Sequence, residues 1–312
     1  MSDMIATREA YGLALAEFGD NTDIVVLEAD LSKSTRTVLF KDKYPERFIN
    51  CGIAEGNMMS VAAGIASTGK IVFASTFAMF AAGRAFEQVR NSIGYTHLNV
   101  KIGASHAGLS IGEDGATHQC NEDIALMCSI PGMVVISPAD AAETRAAVKF
   151  AIDYKGPVYL RLYRPNVPVI YDSSFKFELG KANTVKDGND VTIIATGVMV
   201  HEAIKAYDLL KADGISARVI DMASLKPIDR EIIVKAAKET GCIVTAEEHN
   251  ILSGLGSLVA SVLSEEYPVY LRKVGVEDKF GKSGTVSAVL NKYGLTAENI
   301  ANKAREVITL KK

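Results

Sequence analysis

Short apolar runs, most of them rich in Val and Ile without polar alternation, recur along the chain. Between them lie longer stretches in which apolar residues return every three or four positions. Runs of the first kind fall at 24–29, 48–52, 71–75, 100–104, 134–137 and 158–162, and stretches of the second kind at 57–68, 86–93 and 141–153. A short apolar run lacking a polar face predicts a strand covered on both sides, the environment of a parallel sheet flanked by helices. The alternation thus predicts a doubly wound α/β domain over residues 1–170. The pattern then breaks. Pro165, Pro168, Gly180 and Gly188 punctuate a polar stretch without periodicity, and residues 171–189 read as an extended linker. Strands are predicted again at 191–196, 217–222, 242–246 and 269–274, with a terminal helix at 297–308, which gives a second, smaller α/β domain over 190–312.

Composition narrows the classes. With 312 residues, 48% apolar and 23% charged, the chain has material for two ordinary globular cores. A net charge of −3 offers no basic footprint for nucleic acid. The most apolar stretch, 71–83, is interrupted by Ser75 and Thr76 and is too short to span a bilayer. Met1, Ser2, Asp3 and Met4 form neither a basic nor an apolar leader region, so a cytoplasmic protein is expected. Cys51, Cys120, Cys128 and Cys242 form no C-x-x-C pair and sit in or beside apolar runs, as small buried hydrophobes do in a reducing compartment.

Ligands of an open parallel sheet bind beyond the carboxyl ends of its strands. Asp30, Glu55, Phe77 and the segment 106–118 all follow predicted strands. The densest signal is 103–119, with two histidines (His106, His118), two acids (Glu113, Asp114) and four glycines. Glycines let a backbone approach a ligand closely, and His and Asp can donate and accept protons near neutral pH. Composition alone also fits a solvated glycine-rich loop. Glu55 by itself could be a helix-start acid, and Phe77 and Phe80 by themselves could be plain core.

The blocks read together are more specific. Ser105-His106, Ile111-Gly112-Glu113-Asp114-Gly115 and Thr117-His118-Gln119 resemble the substrate loop of the transketolase family. Gly52-Ile53-Ala54-Glu55-Gly56-Asn57-Met58 resembles that family's glutamate segment, and Ser75 to Phe80 with Arg84 to Arg90 its aromatic cofactor segment. Asp30-Leu31-Ser32-Lys33-Ser34 and Arg164-Pro165-Asn166-Val167-Pro168 match in the same order. The resemblance covers the pyrimidine-binding and C-terminal domains only. The Gly-Asp-Gly motif, with which the family holds diphosphate and a divalent cation, does not occur in this sequence. The resemblance therefore implies thiamine diphosphate shared with a partner N-terminal subunit that holds Mg²⁺ or Ca²⁺, in an α2β2 assembly acting on sugar phosphates. Met1 is expected to be a natural start, as suits a split two-gene enzyme.

By resemblance, Glu55 hydrogen-bonds N1′ of the aminopyrimidine, while Phe77, Phe80, Ile111 and Asp30 complete the cofactor site. His106, Asp114 and His118 would meet the ketose hydroxyls, with His106 and His118 catalytic alongside Glu55. Arg8, Ser34 and Arg164 would hold the sugar's phosphate. Gly56 stands where many relatives have His or Gln, and one extra residue separates Phe80 from Arg84, which leaves the role of Arg84 open. Rivals are a 1-deoxyxylulose-5-phosphate-synthase-like or 2-oxo-acid dehydrogenase β-like subunit, and a non-catalytic subunit of the same fold. The two-histidine loop suits hydroxyl-rich sugars better than a small oxo acid.

Three other signals are weaker. Gly281-Lys282-Ser283 lacks the earlier glycine of a P-loop at the required distance. Gly254-Leu255-Gly256 lacks the third glycine of a dinucleotide fingerprint and reads as a helix start. His249, beside Glu247 and Glu248, is expected at an inter-chain surface or in solvent, and His97 and His201 have no visible role.

Overall fold

In the computed structural model the β-branched runs become strands with residues committed to both faces of a sheet. All six residues of Val100–Ser105 are buried. Along neighbouring strands, alternate residues serve opposite cores: Leu27, Val72 and Ala74 belong to one, and Val26 and Phe73 to the other. Helix Glu55–Ala66 covers the first face through Met58, Met59 and Ala62. Helices Thr7–Phe18 and Ala141–Asp153 cover the second through Tyr11, Leu15, Ala147 and Val148. That is the doubly wound arrangement the pattern predicts. The structure describes residues 4–311; Met1, Ser2 and Asp3, on which most of the leader reading rests, and Lys312 lie outside the described residues.

The first sheet has seven strands in the spatial order Ser224–Lys226, Val134–Ile136, Val158–Arg161, Val100–Ser105, Ile71–Phe77, Ile24–Glu28, Phe48–Asn50. All pair in parallel except Ser224–Lys226. The second sheet runs Tyr270–Val276, Cys242–Asn250, Val191–Ala195, Ala217–Asp221, Asn183–Lys186, with only the last strand antiparallel. Its helices include Met199–Ala212, Arg230–Thr240, Leu255–Glu266 and Ala297–Thr309.

Four short strands escape the apolar pattern because each has only three or four residues and pairs on one side only. Asn183–Lys186 lies inside the stretch read as linker, where Ala217–Asp221 captures it as an edge. Met4–Ala6 and Asn166–Pro168 form a two-stranded ribbon. Ser224–Lys226 comes from the second half of the chain yet extends the first sheet, with Ser224 opposite Ile136. One apolar cluster likewise spans both halves, joining Ile102 and Tyr159 to Ile194, Ile220 and Leu255. The predicted helix over 86–93 is α-helical only at Phe86–Gln88; it is flanked by π-helical turns at Met79–Arg84 and Val89–Gly94. A π turn accommodates one more residue than an α turn. Among the described residues no helix is long and apolar enough to cross a membrane.

Candidate active site

Strand ends and the turns after them set the site. Phe77 closes strand Ile71–Phe77, and Phe80 follows one turn later with its ring 5.8 Å away and only 14° from parallel. Glu55 opens helix Glu55–Ala66, where the free amides of the first turn favour a carboxylate, and it is 2% exposed. Arg84 donates from Nη1 to Glu55 Oε2 at 3.1 Å, and its guanidinium carbon lies 4.6 Å from the Phe80 ring centre. A flat N–H-donating group thus already rests on the aromatic face while bonding the carboxylate. The same arrangement can bond and stack a planar, nitrogen-rich ring.

His106 follows strand Val100–Ser105 with φ 59, a left-handed conformation uncommon outside glycine. Its ring stacks on Phe77 at 3.9 Å. Arg8 Nη1 lies 3.2 Å from His106 Nε2, and Ser105 Oγ lies 2.8 Å from Nδ1. A guanidinium only donates, so Nε2 is the acceptor and the ring proton sits on Nδ1, facing the Ser105 hydroxyl. Burial, reinforced by Arg8, Arg164 and His118, pushes the imidazole down to about 3, so His106 is neutral at physiological pH. His118 is half-buried, edge-on to Phe80 at 5.4 Å, with Nδ1 2.9 Å from Thr117 Oγ1. Ile111 is buried beneath the same loop, and Asp114 is exposed on the short turn Gly112–Asp114.

Arg8 also donates to the carbonyl of Ser34 at 2.8 Å, so Ser34 contributes its backbone. Burial lowers the Arg8 pKa, Arg36 and Arg164 lower it further, and Glu9, which pairs with Arg36 at 2.5 Å, opposes them, so three cations and one acid share this corner. Arg8 Nε is buried without a partner. Arg164 donates to the Ile111 carbonyl and pairs with Glu113 at 2.9 Å. Such a corner suits an oxyanion. The structure thereby links Glu55, through Arg84, to Phe80, Phe77, His106, His118, Arg8 and Ser34. Asp30, with φ 63, instead exchanges two hydrogen bonds with Asn50 at the exposed end of its strand.

Several residues differ from the sequence reading. His249 is fully buried rather than solvated: it accepts from Ala125 N–H at Nε2 and faces the Asn250 carbonyl through Nδ1. Glu247 accepts from the amides of Leu255 and Gly256 at 2.6 and 2.8 Å, so the glycine turn there is a helix start plugged by its own carboxylate. His201 bonds the Ala139 carbonyl at 2.9 Å, and His97 is exposed. Arg161 is spent in a buried pair with Asp123 at 2.8 Å. The backbone of the Gly281-Lys282-Ser283 turn packs on the histidine loop, with Lys282 O accepting from Gln119 Nε2. Sequence alone does not single out Arg36, although it stands two residues after Ser34. Nor does it reveal the Glu55 contact of Arg84, although four residues from Phe80 is helical spacing. Among the described residues no three His, Cys, Asp or Glu side chains gather as a metal-ligand set.

The pattern described as Transketolase, pyrimidine binding domain, matches residues 3–169, and that described as Transketolase, C-terminal domain, matches residues 180–300. The chain is 50% identical to a transketolase C-terminal section of Methanocaldococcus jannaschii, over 96% of this chain and 95% of that one. It is 43% identical to the 6-deoxy-6-sulfo-D-fructose transketolase subunit SqwH of Clostridium sp., over 96% and 94%. Identity to an apulose-4-phosphate transketolase subunit of Phocaeicola vulgatus is 42%, over 98% and 99%. A solved split-gene transketolase, described as an inactive β4 tetramer, matches with TM-score 0.93 at 58% identity, over 99% of this chain and 100% of that chain.

Proposed function

From the premise that the chain belongs to the transketolase family, as the C-terminal subunit of an enzyme divided between two chains, we propose that it carries the pyrimidine- and sugar-binding half of a site for two-carbon ketol transfer. The observation that carries this reading is the buried Glu55 carboxylate beside the stacked Phe77–Phe80 pair, already engaged by the planar Arg84 guanidinium. Thiamine diphosphate, which the family implies, supplies when bound a carbon centre that can hold the electron pair released as a ketose C–C bond breaks.

Glu55 would bond the aminopyrimidine in place of Arg84, with Phe77 and Phe80 as the stacking wall and Ile111 and Asp30 bounding the site. His106, neutral and with Nε2 as acceptor, orients the sugar by accepting a hydrogen bond from one of its hydroxyls. His118 and Asp114, on the more exposed side of the loop, bond the sugar hydroxyls, and His118 moves the proton there. Arg8 and Arg164, with Arg36 behind them, hold the far end of the sugar once Arg164 leaves Glu113. One relative is named for a sulfosugar and another for a sugar phosphate. Both substrates end in an oxyanion, the chemistry that a guanidinium cluster recognises, so a ketose phosphate or sulfonate is the substrate class.

The diphosphate and its divalent cation fall to the partner subunit, and two copies of each chain complete an α2β2 enzyme. Self-association as an inactive β4 tetramer in a 58% identical protein supports this dependence on a partner. The test is a thiamine diphosphate titration of the purified chain with and without its partner. Binding and ketol transfer are expected only in the mixed complex. Capture of the full coenzyme and Mg²⁺ by this chain alone would overturn the reading.

A further inference from the structure

The tail of strand Cys242–Asn250 runs out of the second sheet and lies against the histidine loop of the first domain. Its Glu248 is fully buried. One carboxylate oxygen accepts from the Ser110 amide, and the other accepts from Ser110 Oγ at 3.1 Å. Gly108 has φ +72, and a Cβ there would collide with the Glu248 carboxyl carbon, so the loop backbone is pressed against this side chain. The strand behind it is anchored in turn. Arg161, paired with Asp123, donates from Nη2 to the Glu248 carbonyl at 2.9 Å, and Asn250 N–H donates to Asn121 O at 2.9 Å. Farther along the loop, Gln119 Nε2 reaches both Leu109 O and Lys282 O.

Residues 108–110 are therefore held by an acceptor that the second domain supplies; Ile111 follows directly, and Asp114 and His118 come later in the same loop. A glycine-rich loop has high conformational entropy, and a catalytic group displaced by about 1 Å loses on the order of 10²-fold in rate. We propose that Glu248 is a positioning residue for ketol transfer: without touching coenzyme or sugar, it fixes the Ser110 backbone so that His118, farther along the same loop, stands against Phe77 and Phe80. This inference rests on the function proposed above and gives the C-terminal domain a part in it. Burial raises the Glu248 carboxyl to about 7 against the pull of Arg161 and the Ser110 donors, as expected for an acceptor retained in a dry site.

The test compares Glu248→Ala and Glu248→Gln in the complex with the partner subunit. Glu248→Ala is expected to lower kcat by about 30–100-fold while the Kd for thiamine diphosphate stays within about threefold. Glu248→Gln keeps one carbonyl acceptor for the Ser110 amide and is expected to recover most of the rate. Hydrogen exchange on the full chain reads positioning without any turnover. In Glu248→Ala, amides 109–115 should exchange at least about tenfold faster while strands Ile71–Phe77 and Val100–Ser105 keep their protection. Unchanged loop exchange would overturn the proposal even if the complex has no ketol-transfer activity. Loss of coenzyme and turnover together, or of strand protection, would show a merely structural role and overturn it too. Wild-type complex lacking ketol transfer would instead count against the proposed function. If Glu248→Ala does not fold, the comparison passes to Glu248→Gln and Ser110→Ala, each of which should speed loop exchange at least about threefold, and unchanged exchange in both overturns the proposal.

Discussion

Beyond strand Ile71–Phe77 of the first sheet, the chain leaves aromatic faces, two histidines and a carboxylate grouped around one site. Beyond strand Cys242–Asn250 of the second sheet, the corresponding space is filled from within. Glu247 bonds the amides that open helix Leu255–Glu266, and a Cβ on Gly254 would collide with Glu247 Oε2. The next residues, Glu248 and His249, turn into the first domain. Both units share the parallel α/β plan that places ligand sites at carboxyl ends, yet one end is open chemistry and the other a plug and brace. The difference lies in a few side chains, not in the fold.

The largest effect should come from the open end. Glu55→Gln is expected to leave the far-UV circular dichroism unchanged and to cut ketol transfer by the mixed complex at least ~10²-fold, the scale for losing a positioned acid–base group. Near-normal turnover would remove the first half of the comparison. At the plugged end, Glu247→Ala would strand two buried amides and should lower unfolding free energy in urea by about 2–4 kcal/mol. An unaltered urea midpoint would show that this carboxylate plugs nothing.

Titration sharpens the same contrast. Burial raises the Glu247 carboxyl to about 7, above the roughly 4.3 of an unfolded Glu. The folded state thus holds the proton more tightly, so this group's contribution is fully present below about pH 4.3 and fades as pH climbs through 7. His106, pushed down to about 3, acts oppositely: its contribution is present above the ordinary His value of roughly 6.5 and fades as pH falls toward 3. Glu247→Gln should flatten the wild-type decline between pH 4.5 and 7 by on the order of 2 kcal/mol, read from unfolding curves across that range.

Arg164→Ala is expected to weaken transition-state binding of phosphorylated or sulfonated sugars by roughly 1.5–3 kcal/mol in kcat/KM and to spare uncharged ones. Equal losses on both would move the oxyanion grip elsewhere. The smallest change is expected of Arg84→Ala, which uncovers Glu55 and Phe80 and should tighten thiamine diphosphate binding to the mixed complex by about two- to fivefold in a fluorescence titration. Weaker binding would mean that Arg84 supports the heterocycle instead of standing in for it.

Much of the fold could be read along the chain, because strands buried on both faces are predominantly apolar and rich in Val and Ile, and such runs survive as Ile24–Glu28, Val100–Ser105 and Val191–Ala195. Edge strands obey no such rule. Asn183–Lys186 and Ser224–Lys226 are strands only because a neighbour offers a ladder, so no local composition marks them. Glu55, Phe77, His106 and His118 are legible as candidate site residues from their place after strands and their motif spacing. The contacts of Arg84 and Glu248 are not, because each is made with a residue 29 or 138 positions away.

The amino-acid order by itself settled the alternation of strands and helices, the positions at which chemistry could gather and the family blocks that name that chemistry, since all of these are local patterns. Protonation and alignment were decided only in three dimensions. Whether His106 is neutral, whether Glu247 faces amides or water, and which domain steadies the histidine loop all depend on desolvation and through-space charge. Those terms are set by what packs around a group, not by what precedes it in the chain.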